Sequence, residues 1–251
     1  TAYEIYQCDW SSDVCSSDLI SLFLALLTFA LVISFFSFTS AILPTLAVLA
    51  ISFIVLSRKL SQKIEPIMKD IQNHIMNNKA QTAISLLKML KSKYGKWQFF
   101  LSSSIDGQIG SILYIKSNFN DAKPYLQKSF MRNWVAKAML ALIYYREKKY
   151  KEMEEVFVSL TKVVKKSGLL WSIWAYCHWR LGNTQKALDI LAKGKTYLKE
   201  QDPYLTQNLL SLQNDKKMKM KLYGEQWYQF LLESTPQQMQ LKQGKVRFKS
   251  R

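Results

Sequence analysis

From Ile20 to Ser57 the chain carries no charged residue. This run constrains the fold more than any other feature, because 38 uncharged and mostly apolar residues must be shielded from water by a bilayer or a large core. A helix needs about 20 apolar residues to cross a membrane's hydrocarbon layer. The run is therefore too long for one upright helix and suits two short ones. We expect a transmembrane hairpin with helices near 20–37 and 41–57 and a turn at Ser37–Ser40. Pro44 is expected in the first turn of the second helix, where its missing N–H has no intrahelical partner to lose. One long tilted helix and a buried soluble core are the competing readings. Arg58, Lys59 and Lys63 follow at once, and basic residues beside membrane ends stay cytoplasmic. The expected location is the inner (cytoplasmic) membrane, with the remaining chain facing the cytoplasm. No ionisable residue lies within either span, which argues against an ion path or proton relay.

Ahead of this run, residues 1–19 hold Cys8 and Cys15 and the acids Glu4, Asp9, Asp13 and Asp18, but no Lys or Arg. A lone pair of cysteines is a weak signal for a disulfide loop or a metal site. A secretory leader would start with a basic region. The stretch instead resembles the translation of a short-read sequencing-library adapter, with Asp9–Leu19 as the main match and Thr1–Ile5 as the upstream arm. On that reading it stands outside the fold, and the natural sequence is expected to begin near Ile20 with its initiator Met missing. Removing the four acids raises the formal charge from +17 to +21. Cys177 then remains as a single cysteine, which suits a reducing compartment and excludes an internal disulfide.

Beyond the apolar run, Gly and Pro number 8 and 5, too few for a turn-rich β-sandwich. Leu, Lys, Ala, Gln and Met abound and favour helix. A repeat is visible within this helical part. Residues 140–160 align with residues 174–194 at an offset of 34, pairing Leu140 with Trp174, Ala141 with Ala175, Tyr144 with His178 and Phe157 with Leu191. Residues 109–129 give a third copy, spaced by 31, with Gly110, Phe119, Ala122 and Leu126 in equivalent places. A weaker fourth over 73–90 contributes Ala83 and Leu87. Small residues at these positions let two helices approach, and large ones fill the gap to the next hairpin. A lone helical hairpin cannot bury its apolar face, so hairpins stack.

Trp171, Ala175, Gly182, Ala187 and Leu191 in one copy, and Tyr144, Tyr150 and Phe157 in another, make residues 64–201 resemble the tetratricopeptide-repeat (TPR) family. The departures are Lys148 where Gly is common, Met153 where Ala is common, and Lys165 and Lys199 where Pro usually closes a repeat. Pro124 is admissible only near the start of its helix. The expected fold class is all-α: a transmembrane hairpin, then a TPR-like α-solenoid of about three to four helix pairs, then a C-terminal cap. The cap is expected over 203–234, with Trp227, Phe230 and Leu231 at helical spacing. The basic tail 235–251 is expected to be disordered.

The resemblance implies that the first helix of each repeat lines a concave groove. Carried over by position, the lining comprises Gly107, Ser111 and Tyr114, then Ala138, Leu142, Tyr145 and Arg146, then Ser172, Tyr176, Trp179 and Arg180. Tyr145-Arg146 and Trp179-Arg180 lie one period apart. Such aromatic–Arg steps suit an extended peptide, because Arg offers a planar fork and an aromatic offers rigid area. The competing reading places these aromatics in the core between repeats. No P-loop, G-x-S-x-G or H-E-x-x-H is present. His74 reads as a surface residue, while His178 and Cys177 read as packing residues. Neighbours on a helix do not face each other, so Cys177 and His178 do not make a nucleophile pair.

The expected function is therefore binding, without catalysis, cofactor or metal. The chain reads as a membrane-anchored scaffold holding another protein, with the lipid bilayer as second partner through residues 20–57. By family analogy the setting is a bacterial envelope assembly or secretion system. The alternative is a basic module that binds an anionic membrane surface or nucleic acid. Nucleic acid is the weaker partner, since the lysines are scattered rather than gathered in a stripe among stacking aromatics.

Overall fold

The computed structural model describes residues 38–95, 101–199 and 201–234. Every regular element among them is helical, so the all-α class holds. The chain divides into two units, Thr1–Ser102 and Ser103–Arg251.

In the first unit, α1 (Phe38–Met76) and α2 (Ala80–Tyr94) form a hairpin. Helix α1 carries the second apolar segment and its charged continuation in one run of 39 residues. Phe38–Ser40, where the sequence predicts a turn, are helical, and Pro44 lies beyond the first turn of the described helix. The continuation suits helix, and Glu65 and Lys69 pair at 2.8 Å across one turn. Ile71 is buried on α1, as are Ala83, Ile84, Leu87 and Leu90 on α2. The expected first span, 20–37, and the expected disordered tail, 235–251, lie outside the described residues. Among the described residues no helix is long and apolar enough to cross a membrane, so the hairpin in the bilayer is not shown.

The second unit takes its helices in order: α3 (Leu101–Ile115, which starts at the boundary), α4 (Phe119–Lys128), α5 (Trp134–Arg146), α6 (Tyr150–Val163), α7 (Gly168–Arg180), α8 (Thr184–Leu198) and α9 (Pro203–Gln213). A 3-10 turn (Met220–Tyr223) and the single-turn α10 (Glu225–Tyr228) end it.

The hairpins of both units turn in the same way. Each connection has a left-handed central residue: Asn78 (φ 60), Ser117 (φ 63), Lys148 (φ 59) and Gly182 (φ 84). In each, that residue's N–H bonds the carbonyl three residues back and the next N–H bonds the carbonyl five back, as in Ser117 to Tyr114 and Asn118 to Leu113. This is the Schellman closure, which satisfies carbonyls left open at a helix end. Counting from the turn centre, the fifth residue is Ala83, Ala122, Met153 or Ala187, and the ninth is Leu87, Leu126, Phe157 or Leu191. All eight are fully buried. The seventh residue before the centre is Ile71, Gly110, Ala141 or Ala175. A Cβ on Gly110 would stand 2.7 Å from Leu126 Cδ2, so close approach of α3 to α4 requires glycine there.

Neighbouring hairpins of the second unit are joined by packing and by polar ties. Phe157 stacks on Trp174, with ring centroids 6.1 Å apart. The buried Lys137 of α5 donates to the carbonyls of Leu126 and Gln127 at 3.1 and 2.7 Å, closing the end of α4. Burial pushes the Lys137 ammonium pKa down. Asn133, Ser167 and Asp202 cap α5, α7 and α9 through their side chains. Pro124 sits inside α4 rather than in its first turn, so one intrahelical bond is missing from the shortest of the paired helices.

The C-terminal stretch departs from the helical cap expected over 203–234. Helix α9 forms, but beyond it regular helix is limited to the turn at Glu225–Tyr228. Gly224 (φ 58, ψ -137) precedes that turn, and Leu231 (φ 54) follows it.

Candidate segment-binding face

Helices α3, α5 and α7, the first members of the three hairpins of the second unit, share a face crossed by residues 220–233. The path is visible in its contacts. Tyr223 meets Ser172 of α7, hydroxyl to hydroxyl at 2.9 Å. Trp227, fully buried, stands edge-on to Tyr176 of α7 with centroids 4.9 Å apart. Phe230, also fully buried, lies 6.3 Å from the Trp134 ring of α5. Tyr114 of α3 donates its hydroxyl to the Phe230 carbonyl at 2.6 Å, and Arg146 of α5 donates Nη2 to the Leu231 carbonyl at 2.6 Å. The chain then reverses at the left-handed Leu231. Glu233 returns to α7, accepting from Tyr176 at 3.1 Å and from Trp227 Nε1 at 3.2 Å. The occupant is a compact turn, not the extended strand that the spacing of the aromatics predicts.

The sequence-predicted lining thus divides. Tyr114, Arg146, Ser172 and Tyr176 touch the segment. Trp179 and Arg180 flank Tyr176, with the Trp179 ring 5.6 Å and the Arg180 guanidinium 6.0 Å from its centroid. Tyr145 lies 6.3 Å from the Tyr150 ring. Ser111 donates to Gly107 of its own helix, and Leu142 belongs to the core cluster. Within each aromatic–Arg pair, Arg146 bonds the segment and also lies over Phe119 at 4.7 Å, whereas Arg180 lies over an aromatic ring. Trp134, Tyr223 and Glu233 were not singled out from sequence. Trp134 opens its helix outside the repeat alignment, and an isolated Glu near a chain end carries no periodic signal.

The hydroxyls on this face act as donors over the neutral range. Burial pushes Tyr114 up to about 12, with Arg146 opposing. Burial, with Glu233 adding its charge, pushes Tyr176 further up. A protonated phenol can donate to a carbonyl or carboxylate, so the face is set to receive acceptors. Of the four hydrogen bonds between these helices and the segment, those of Tyr114 and Arg146 reach backbone carbonyls, which any polypeptide presents.

Comparison with protein-family models, curated proteins and solved structures finds no match. The functional reading therefore rests on the geometry of this chain.

A second polar cluster joins α6, α7 and α8. Glu154 accepts from Trp174 Nε1 at 2.8 Å, meets His178 Nε2 at 2.9 Å and pairs with Lys186 at 2.7 Å. Burial pushes the Glu154 carboxyl up, but the hydrogen bonds from Lys186, His178 and Trp174 outweigh it and hold the carboxyl below its ordinary value. His178 is buried and its Nδ1 has no partner. The cluster borders a shallow depression of about 700 Å³ lined by both signs of charge, including Lys186, Asp189 and Lys193. Cys177 is fully buried in the core, and burial pushes its thiol far up. Among the described residues no group of three His, Cys, Asp or Glu is placed to hold a metal.

Proposed function

We propose that this chain is a membrane-anchored scaffold of TPR-like helical hairpins that docks a segment of another protein on the face of α3, α5 and α7. The observation that carries the reading is that this face already holds a peptide-like turn through two backbone carbonyls, one carboxylate and two fully buried aromatics. Carbonyl bonds of this kind set register without regard to sequence, and the aromatic sites supply selectivity. The charge-free run 20–57 and the basic residues after it support an anchor in the inner membrane with the hairpins on the cytoplasmic side. The TPR resemblance supports a setting in a bacterial envelope assembly or secretion system.

The test is capture by tagged full chain from detergent-solubilised membranes, at moderate and at high salt. A defined protein retained at high salt, and lost when Tyr114→Phe and Arg146→Ala are combined, is the expected result. Recovery of only lipid or nucleic acid, released by salt, would replace this reading with that of a basic surface module.

A further inference from the structure

We propose that Trp227–Glu233 is a resident competitor, and that the partner presents the same chemistry: an aromatic, a second aromatic three residues on, and an acid three residues after that. This rests on the scaffold reading above and adds the partner's recognition pattern and its regulation.

The pattern comes from the contacts. Trp227 enters beside Tyr176, the Phe230 ring lies beside Trp134, and the Glu233 carboxylate ties Tyr176 to Trp227. The two aromatics are fully buried and supply the apolar area. The acid is the single group of the occupant that accepts through a side chain from the helices' face at Tyr176, while Tyr114 and Arg146 read main chain alone. Arg146 and Arg180 give this end of the face a positive character that suits an acidic segment.

Displacement is built into the occupant's backbone. It contains one helical turn, Glu225–Tyr228, too short to hold its shape alone. Leu231 sits at φ 54, a region that side chains other than glycine rarely adopt. The connection from α9, Asn214–Lys219, is exposed except at Met218, carries Lys216, Lys217 and Lys219, and is held where the Lys219 N–H donates to the buried Asn208 at 2.6 Å. Joined to the face through this connection, the segment competes as part of the same chain with any external one. An external segment therefore meets a face that is mostly closed, and its apparent affinity falls by the fraction of time the face is open. Weakening the resident segment should raise partner affinity without any change in the face itself.

The experiment titrates a fluorescent peptide copying residues 222–234 onto the full chain in detergent. Wild type should bind it weakly. Phe230→Ala should bind at least tenfold more tightly, and Glu233→Ala, which leaves both buried aromatics in place, should shift affinity in the same direction. Adding Arg146→Ala and Tyr114→Phe to either variant should remove that gain. Helical circular dichroism identifies folded variants, and Glu233→Ala serves if Phe230→Ala does not fold. A folded Glu233→Ala protein that binds the peptide no better than wild type overturns the competitor proposal. In that case a salt-resistant protein partner still sensitive to Tyr114 and Arg146 leaves the scaffold reading standing, and the loss of both results removes both.

Discussion

Lys148 occupies the turn centre where the equivalent position of the last hairpin has Gly182. Its φ of 59 places a Cβ in the left-handed region, at a cost of about 1–2 kcal/mol. Replacement by Gly removes that cost but adds backbone freedom to the unfolded chain, worth about 0.5–1 kcal/mol. The Lys148 side chain is exposed, so little packing is lost. Lys148→Gly should therefore stabilise the protein by about 0.5–1 kcal/mol, a rise of about 1–4 °C in Tm for a unit of this size. The converse substitution isolates the same effect. Nothing lies within 4 Å of a Cβ built on Gly182, whose φ is 84, so Gly182→Ala should destabilise through conformation alone, by about 1 kcal/mol. Thermal melts of the full chain followed by far-ultraviolet circular dichroism measure both. A lower Tm for Lys148→Gly, or an unchanged one for Gly182→Ala, would refute the claim that these turns are equivalent and strained at their centres.

Gly194→Ala places a methyl 2.7 Å from Trp171 Cγ and 3.0 Å from Leu205 Cδ1, and overpacking of this kind should cost about 1–3 kcal/mol in denaturant melts. The Glu154 cluster should show in acid. Because the folded carboxyl titrates below its ordinary value of 4.5, its stabilisation is complete above that pH and is lost as pH falls through the lowered folded value. Glu154→Gln should flatten the acid limb of stability against pH; an unchanged limb would mean that the Lys186 and Trp174 contacts carry no net energy.

The repeat was legible because burial enforces it at fixed intervals. Ala122, Ala187, Leu126, Phe157 and Leu191 align in sequence and are all fully buried in equivalent places. The departures from the family pattern were also informative: Lys148, out of place as a residue type, adopts the backbone that glycine would supply. Helix α1 was less legible. The change from apolar to charged residues after Ser57 reads as a boundary in composition, yet composition does not interrupt backbone hydrogen bonding, and the helix continues to Met76. The candidate face was half legible. Tyr114, Ser172 and Tyr176 followed from repeat position. Their occupant did not, because Trp227, Phe230 and Leu231 have helical spacing where the chain is helical only to Tyr228, and two of its anchors are backbone carbonyls, which leave no trace in a sequence. Leu142 shows the limit of carrying a lining over by position, since a residue on the inner helix can still belong to the core.

Stacked hairpins normally fold as a chain of neighbours, each able to form once the one beside it exists. The bond from Tyr114 to Phe230 joins residues 116 apart and changes that order of events. The second unit becomes a closed circuit whose last link leaves the ribosome only after all three of its hairpins. Its early hairpins can form during synthesis, but Tyr114 and Tyr176 must wait, without their eventual cover, until the C-terminal segment emerges. The interval between those events is the time in which the face stands uncovered by residues 220–233.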